Sequence, residues 1–305
     1  MDRIRKALDL ARQERERTLA RDTPRPHEAP RRHEAPRVHE TPRTHEAPRE
    51  APGPHEESPL AYELNVDKRL PGVIEYTTTQ TFSPTASLLE SNRIIDISNT
   101  GPAESAFRML RTQVLQRLDE HDWRSLAIFS PSSEDGKTTT AINLAISLAN
   151  DHMHTVLLVD LDLKRPTIAS KVGLSPKKGI DDLLRGGTEV EECLYHPEGI
   201  ERLVLMPARG AMGHSSEALA GPRARALVSE LRGRYADRII LFDLPPILEA
   251  DDALAFAPLV ECGLVVVAEG ATRREDLLRC MELLRNTPVI GTVLNRATDA
   301  MPTYG

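Results

Sequence analysis

The residues best suited to chemistry stand in one short run, Ser130-Pro131-Ser132-Ser133-Glu134-Asp135-Gly136-Lys137-Thr138. An apolar stretch, 126–129, precedes it, and the helix-favouring AINLAISLA follows. A strand, a loop and then a helix is the setting of a phosphate site, because free N–H groups and the helix dipole both favour an anion there. Gly136 permits close backbone approach, Lys137 reaches the β- and γ-phosphates, and the Thr138 hydroxyl suits Mg²⁺. Nucleotide contacts are therefore expected from Ser133, Glu134, Asp135, Gly136, Lys137, Thr138 and Thr139. The general pattern places a glycine where this chain has Pro131, and a Gly-Lys-Thr at a helix start can also arise by chance.

Two acid-bearing stretches narrow the choice. Val156-Leu-Leu-Val-Asp160-Leu-Asp162-Leu-Lys-Arg165-Pro166 and Arg238-Ile-Ile-Leu-Phe-Asp243-Leu-Pro245-Pro246 each read as a buried strand with carboxylates at its carboxyl end. Lone acids in such places are often helix caps. Two sets beside a phosphate loop point to a magnesium-centred ATP site, since Mg²⁺ needs only one or two carboxylates beside the phosphates. The catalytic set expected is Lys137, Asp160, Asp162 and Asp243. Thr138, Asp160 and Asp243 form the metal shell, with Asp243 acting through water, and Asp162 serves as base or orienter of the nucleophile. Near the carboxyl end, Asn295 can read an adenine edge and Arg296 can stack on the base; an ordinary turn is the alternative.

These residues need a frame to hold them. Helices are expected at 103–118, 137–150, 181–184, 223–234, 252–257 and 274–284. Strands are expected at 125–129, 155–159, 202–206, 239–242, 263–268 and 289–294. Short apolar strands alternating with helices predict an α/β fold of the P-loop NTPase kind. Its mostly parallel sheet carries helices on both faces, with ligands at the carboxyl ends of the strands. The helix at 103–118 is amphipathic, with Ala106, Phe107, Leu110, Val114, Leu115 and Leu118 along one side.

Three regions divide the 305 residues. Residues 1–20 read as a short charged amphipathic helix, either a docking peptide or a solvated one. Residues 21–100 read as a mostly disordered linker, and 101–305 as the catalytic domain with a short tail. Residues 21–60 hold nine of the 23 prolines and five of the ten histidines, so they cannot bury enough apolar surface to fold. Four units, HEAPRR, HEAPRV, HETPRT and HEAPRE, repeat from His27. Their prolines forbid a continuous helix and favour a stiff spacer; the histidines alone lack a frame to converge on a metal. The net charge of −7 gives no case for nucleic acid. No apolar run is long enough to span a membrane, and Cys193, Cys262 and Cys280 form no CxxC pair. A cytoplasmic chain reaching a membrane only through a partner is the expectation.

The phosphate loop, the Asp160-x-Asp162-x-x-Arg165-Pro166 motif and Phe242-Asp243-x-Pro-Pro together resemble the bacterial tyrosine kinases of capsule and exopolysaccharide synthesis. The similarity is to their cytosolic form, within the wider group of MinD/ParA-like ATPases, and covers about residues 101–305. It implies ATP and Mg²⁺ as cofactors, transfer of the γ-phosphoryl group to tyrosine, and a membrane-spanning polysaccharide co-polymerase as activator. It also implies assembly into rings. The ring motif is represented here by Ser105-x-x-Arg108-x-x-Arg111, with Ser105 in place of an acid and Glu104 beside it. The family's C-terminal tyrosine cluster is reduced to Tyr304, which is either the autophosphorylation site or a plain tail residue. The other reading is an ATPase switch or assembly factor for a polysaccharide machine without tyrosine phosphorylation. A DNA-partitioning ATPase is weaker, because many of those carry a second lysine where Ser132 stands.

Overall fold

A computed structural model describes residues 79–96, 101–234 and 237–298. The N-terminal helix, the histidine repeat and Tyr304 lie outside the described residues. Among the described residues no helix is long and apolar enough to cross a membrane.

The strands predicted from apolar runs all form: β2 (Ser125–Phe129), β3 (Thr155–Asp160), β5 (Leu203–Met206), β6 (Arg238–Asp243), β7 (Cys262–Ala268) and β8 (Val289–Asn295). They join β1 (Gln80–Phe82) and β4 (Tyr195–Pro197) in one eight-stranded sheet of order β1-β4-β5-β3-β6-β2-β7-β8. From β5 to β8 all neighbours run parallel. Strand alternation splits the core between the faces: Ala127 and Phe129 join one apolar cluster, Leu126 and Ile128 the other.

Helices cover both faces. The second cluster is closed by α2 (Pro102–His121) and α3 (Lys137–Ala149), through residues such as Val114, Leu118, Ile142 and Leu144. The first is closed by α5 (Ile180–Arg185), α6 (Ser215–Ala220), α7 (Pro222–Arg234), α8 (Asp252–Phe256) and α9 (Arg274–Leu283). At its N-terminal end the sheet is pinned by Glu261. Its Oε2 accepts the N–H groups of Arg124 and Ser125, each at 2.8 Å.

Two departures from expectation have simple causes. β4 is antiparallel to β5, because the few residues between them cannot make the long crossover that parallel neighbours need. The domain also starts earlier than Gly101. β1 pairs with β4, and α1 (Ala86–Ser91) packs toward α4 (Ile168–Val172), while Ile94 and Ile95 are buried in the second cluster. The boundary at residue 100 is therefore corrected: residues 79–96 belong to the folded domain. A three-residue polar strand and a six-residue helix lack the periodicity that would announce them.

Asn143 on α3 fastens this early segment. Its Oδ1 accepts the Ile95 N–H at 2.9 Å, and its Nδ2 donates to the Arg93 carbonyl at 2.9 Å. Asn143→Ala leaves both backbone groups without their partner, and should lower stability by about 1–3 kcal/mol in urea titration. An unchanged midpoint would show that the 93–95 segment is held by its isoleucines alone.

Candidate functional site

The strand order decides what meets what. β6 lies between β2 and β3, so the Asp243 end of β6 is flanked by the phosphate loop on one side and Asp160 on the other. Asp160 and Asp243 are direct register partners. Both are fully buried, and the Asp243 carbonyl accepts the Leu161 N–H at 2.8 Å.

Lys137 opens α3 and is itself buried. Its Nζ lies 2.6 Å from Asp243 Oδ1, and the Thr138 hydroxyl donates to Asp243 Oδ2 at 2.7 Å. Nζ also approaches Thr138 Oγ1 at 3.4 Å. The ammonium thus sits among the oxygens assigned to a metal shell. Gly136 takes φ +85°, the left-handed region, and a Cβ there would lie 1.9 Å from Asn295 Nδ2. Only glycine fits that corner.

Asp160 is held by three backbone donors. Oδ2 accepts the N–H groups of Thr167 at 3.2 Å and Ile168 at 3.0 Å, and Oδ1 that of Asp162 at 3.2 Å. Burial first, and then the neighbouring Asp243 carboxylate, pushes its carboxyl up to about 8, against the pull of the Ile168 amide and Lys137. Asp162 is half-buried, and burial raises its carboxyl above the usual range, opposed by Lys137 and the Arg165 N–H. Its loop is tied across the site by Lys164, whose Nζ lies 2.8 Å from the buried Asp252 Oδ2 and 3.7 Å from Asp251 Oδ1. The hydrogen bond to Asp252 is the main cause of the raised Lys164 pKa.

The expected residues thus separate into groups. Lys137, Thr138, Asp160 and Asp243 converge, and Asp162 adjoins them. The side chain of Asp135 turns away from the loop's mouth: Oδ2 accepts the Ser132 N–H at 2.7 Å, and Oδ1 accepts the Thr272 hydroxyl. Asn295 Nδ2 donates to the Asp135 carbonyl at 2.9 Å, so one side of that amide braces the loop. Arg296 is exposed with φ +57°. Ser133 and Glu134 are exposed and Thr139 is half-buried. Away from the site, Arg108 pairs with Glu104 at 3.0 Å, and Arg111 donates to the Ser147 carbonyl at 3.0 Å. Thr272, Lys164, Asp252 and Glu249 were not singled out by sequence reasoning. Each acts across long sequence separations, and no local spacing marks them.

The donor set suits a hard divalent cation: one hydroxyl and two carboxylates, all oxygen. Of the two adjacent buried carboxyls, Asp243 is met by the Lys137 ammonium and Asp160 by a retained proton, a place that a cation could take. No cluster of three or more acidic, His or Cys ligands occurs among the described residues.

The proton retained on Asp160 has a pH signature. Asp160 rises from an ordinary value of 3.8 to about 8 on folding, so its contribution to ligand-free stability is complete below the lower value and is lost as pH climbs through the higher. The thermal midpoint of the ligand-free protein should fall between pH 4 and 8, and Asp160→Asn should flatten that fall. Identical pH slopes for the two proteins would show an ionised Asp160 in the fold.

Comparison with known proteins agrees with this geometry. Residues 126–302 match the family model described as the CobQ/CobB/MinD/ParA nucleotide binding domain. The succinoglycan biosynthesis transport protein ExoP of Rhizobium meliloti is 32% identical over 217 residues, covering 68% of this chain but 26% of that protein. The tyrosine-protein kinase YwqD of Bacillus subtilis is 26% identical over 191 residues, covering 62% of this chain and 79% of that one. Among solved structures, the VpsO kinase domain superposes with a TM-score of 0.55 at 28% identity, covering 64% of this chain and 96% of that one. The chain thus spans about a quarter of ExoP and most of YwqD. The matched span holds the loop, both acid-bearing strands and Asn295, and the chain belongs to the CobQ/CobB/MinD/ParA nucleotide-binding family.

Proposed function

We propose that this chain is an ATP- and magnesium-dependent protein-tyrosine kinase serving exopolysaccharide or capsule synthesis. The observation that carries the reading is the convergence of Lys137, Thr138, Asp160 and Asp243, with Asp162 beside them, at the carboxyl ends of adjacent parallel strands. Similarity to YwqD, a named tyrosine kinase, over most of its length supports the choice of acceptor, and similarity to ExoP supports the polysaccharide setting.

The chain's own groups have distinct tasks. Lys137 moves from Asp243 to the β- and γ-phosphate oxygens, and the amides around Gly136 hold the same phosphates. Thr138, Asp243 and the Asp160 shell would hold Mg²⁺, which when bound would supply neutralisation of phosphate charge. Asp162 accepts the proton of the tyrosine hydroxyl as its oxygen bonds to the γ-phosphorus and the bond to the β–γ bridging oxygen breaks. A carboxyl already raised by burial suits that duty. Tyr195 is an unsuitable acceptor, because it is buried, accepts the Lys177 N–H at 3.0 Å and donates to the Lys178 carbonyl at 3.0 Å. Tyr304 is the acceptor proposed. A membrane-spanning activator chain, cytoplasmic placement beside the inner membrane, and ring assembly through Arg108 and Arg111 complete the proposal.

An ATPase switch without tyrosine transfer is the second reading. It is favoured by Ser105, which stands where the resembled ring motif carries an acid.

Incubation with ATP and Mg²⁺, with and without the membrane activator, followed by phosphosite mapping, separates the two. Phosphotyrosine at Tyr304 is expected; ATP turnover with no phosphotyrosine on any chain would leave the switch. Lys137→Met should reduce turnover by about 100-fold or more, since it removes a charge aimed at the transferring group. Turnover retained in that variant would place the site elsewhere.

A further inference from the structure

One acidic side chain at the mouth of the phosphate loop has no part in the roles above. Glu249 lies on the segment joining β6 to α8, and its Oε1 accepts the Ser133 N–H at 2.7 Å. Two backbone bonds lay this segment along the loop: Ile247 N–H to the Ser130 carbonyl at 2.9 Å, and Leu248 N–H to the Pro131 carbonyl at 3.3 Å. Ser133 opens the short 3₁₀ turn Ser133–Asp135 that leads into Gly136 and Lys137. Both Ser133 and Glu249 are exposed, so the amide and its carboxylate lie at the surface of the loop.

A carboxylate on a backbone N–H is a charge-assisted hydrogen bond, and a phosphate oxygen would ask the same of that donor. The other loop acid bonded to a loop amide, Asp135, is buried and held by Thr272, so it does not compete. Glu249 differs in standing at the surface while its backbone is fixed.

Resting on the nucleotide reading above, we propose that Glu249 is an internal anion. It occupies one amide of the phosphate loop in the ligand-free protein and competes with the terminal phosphate of a nucleoside triphosphate. The penalty grows with the charge of the entering group. Glu249 therefore narrows the preference for triphosphate over diphosphate and makes nucleotide affinity depend on salt.

The test uses the full chain, fluorescent ADP and a non-hydrolysable fluorescent ATP analogue, Mg²⁺, and anisotropy at low and high salt. Glu249→Gln keeps the length and the acceptor oxygen but not the charge. It should bind the triphosphate about 3–10-fold more tightly, the scale of one exposed charge pair, with a smaller gain for the diphosphate and a smaller difference at high salt. Glu249→Ala, which also removes the acceptor, should tighten triphosphate binding as well. Unchanged or weaker triphosphate binding in both variants, with thermal midpoints near that of the parent, would overturn the proposal and leave Glu249 as a brace. An equal gain for both nucleotides would overturn the assignment to the terminal phosphate. A folded parent and variants that bind neither nucleotide would instead sink the nucleotide reading itself, so the two failures are distinguishable.

Discussion

The pairing of Asp160 with Asp243 across β3 and β6 is the constraint on which the rest of the site depends. Parallel strands in register bring two carboxylates side by side at the same edge of the sheet. In a buried position neither water nor a large spread of dipoles can offset them, so their charge has to be met by something specific. Three backbone amides and a raised proton affinity meet it at Asp160, and Lys137 and Thr138 meet it at Asp243. The site is therefore electrostatically complete without a ligand, but through partners that chemistry must then reassign. A lysine needed by phosphate is first occupied by a carboxylate, and a carboxylate suited to a cation first holds a lysine.

This makes strand order as important as residue choice. Had β6 not fallen between β2 and β3, Asp243 could not touch a loop that follows β2 while adjoining Asp160 at the end of β3. The same logic extends outward. β7 separates β2 from β8, and its pairing with Asn295 at Ala268 brings that asparagine back over Gly136. Thr272, just beyond β7, accepts the Ala268 N–H at 2.8 Å and donates to Asp135, so the strand ends and the loop share one hydrogen-bonded frame.

What the sequence could reveal follows from these distances. Lys137, Thr138, Asp160, Asp162 and Asp243 were legible because each sits at a local boundary, where an apolar strand stops or a helix begins. The parallel strands were legible through their unbroken apolar runs, buried on both faces. β1, β4 and α1 were not, since elements of three to six residues carry no period. The inward turn of Asp135 was not legible either, because its cause lies at Thr272, far along the chain. Asn295 was legible as a residue of the site but not as a brace of Asp135, for the same reason. Local pattern identifies the groups that do chemistry, whereas the groups that hold them come from the sheet's topology.

The phosphate loop shows why such holding groups are needed. Loops that cradle phosphate usually draw their shape from several glycines, whereas this one has Gly136 alone and carries Pro131 at its start. A loop of ordinary residues does not adopt a tight, amide-lined curve unaided, so external contacts fix it. Asn295 grips the Asp135 carbonyl, Asp135 caps Ser132, Leu248 reaches the Pro131 carbonyl, and Glu249 takes the Ser133 amide. Pro131 has no N–H to leave unpaired, and its carbonyl is used, so the proline costs the loop nothing at that position. None of these four contacts takes the amides of Gly136, Lys137 or Thr138, and of the two that occupy a loop N–H, only that of Glu249 comes from an exposed side chain. The loop's departure from the glycine-rich pattern is thus matched by its surroundings. The single contact that reaches into the opening is the one able to tune what the loop will accept.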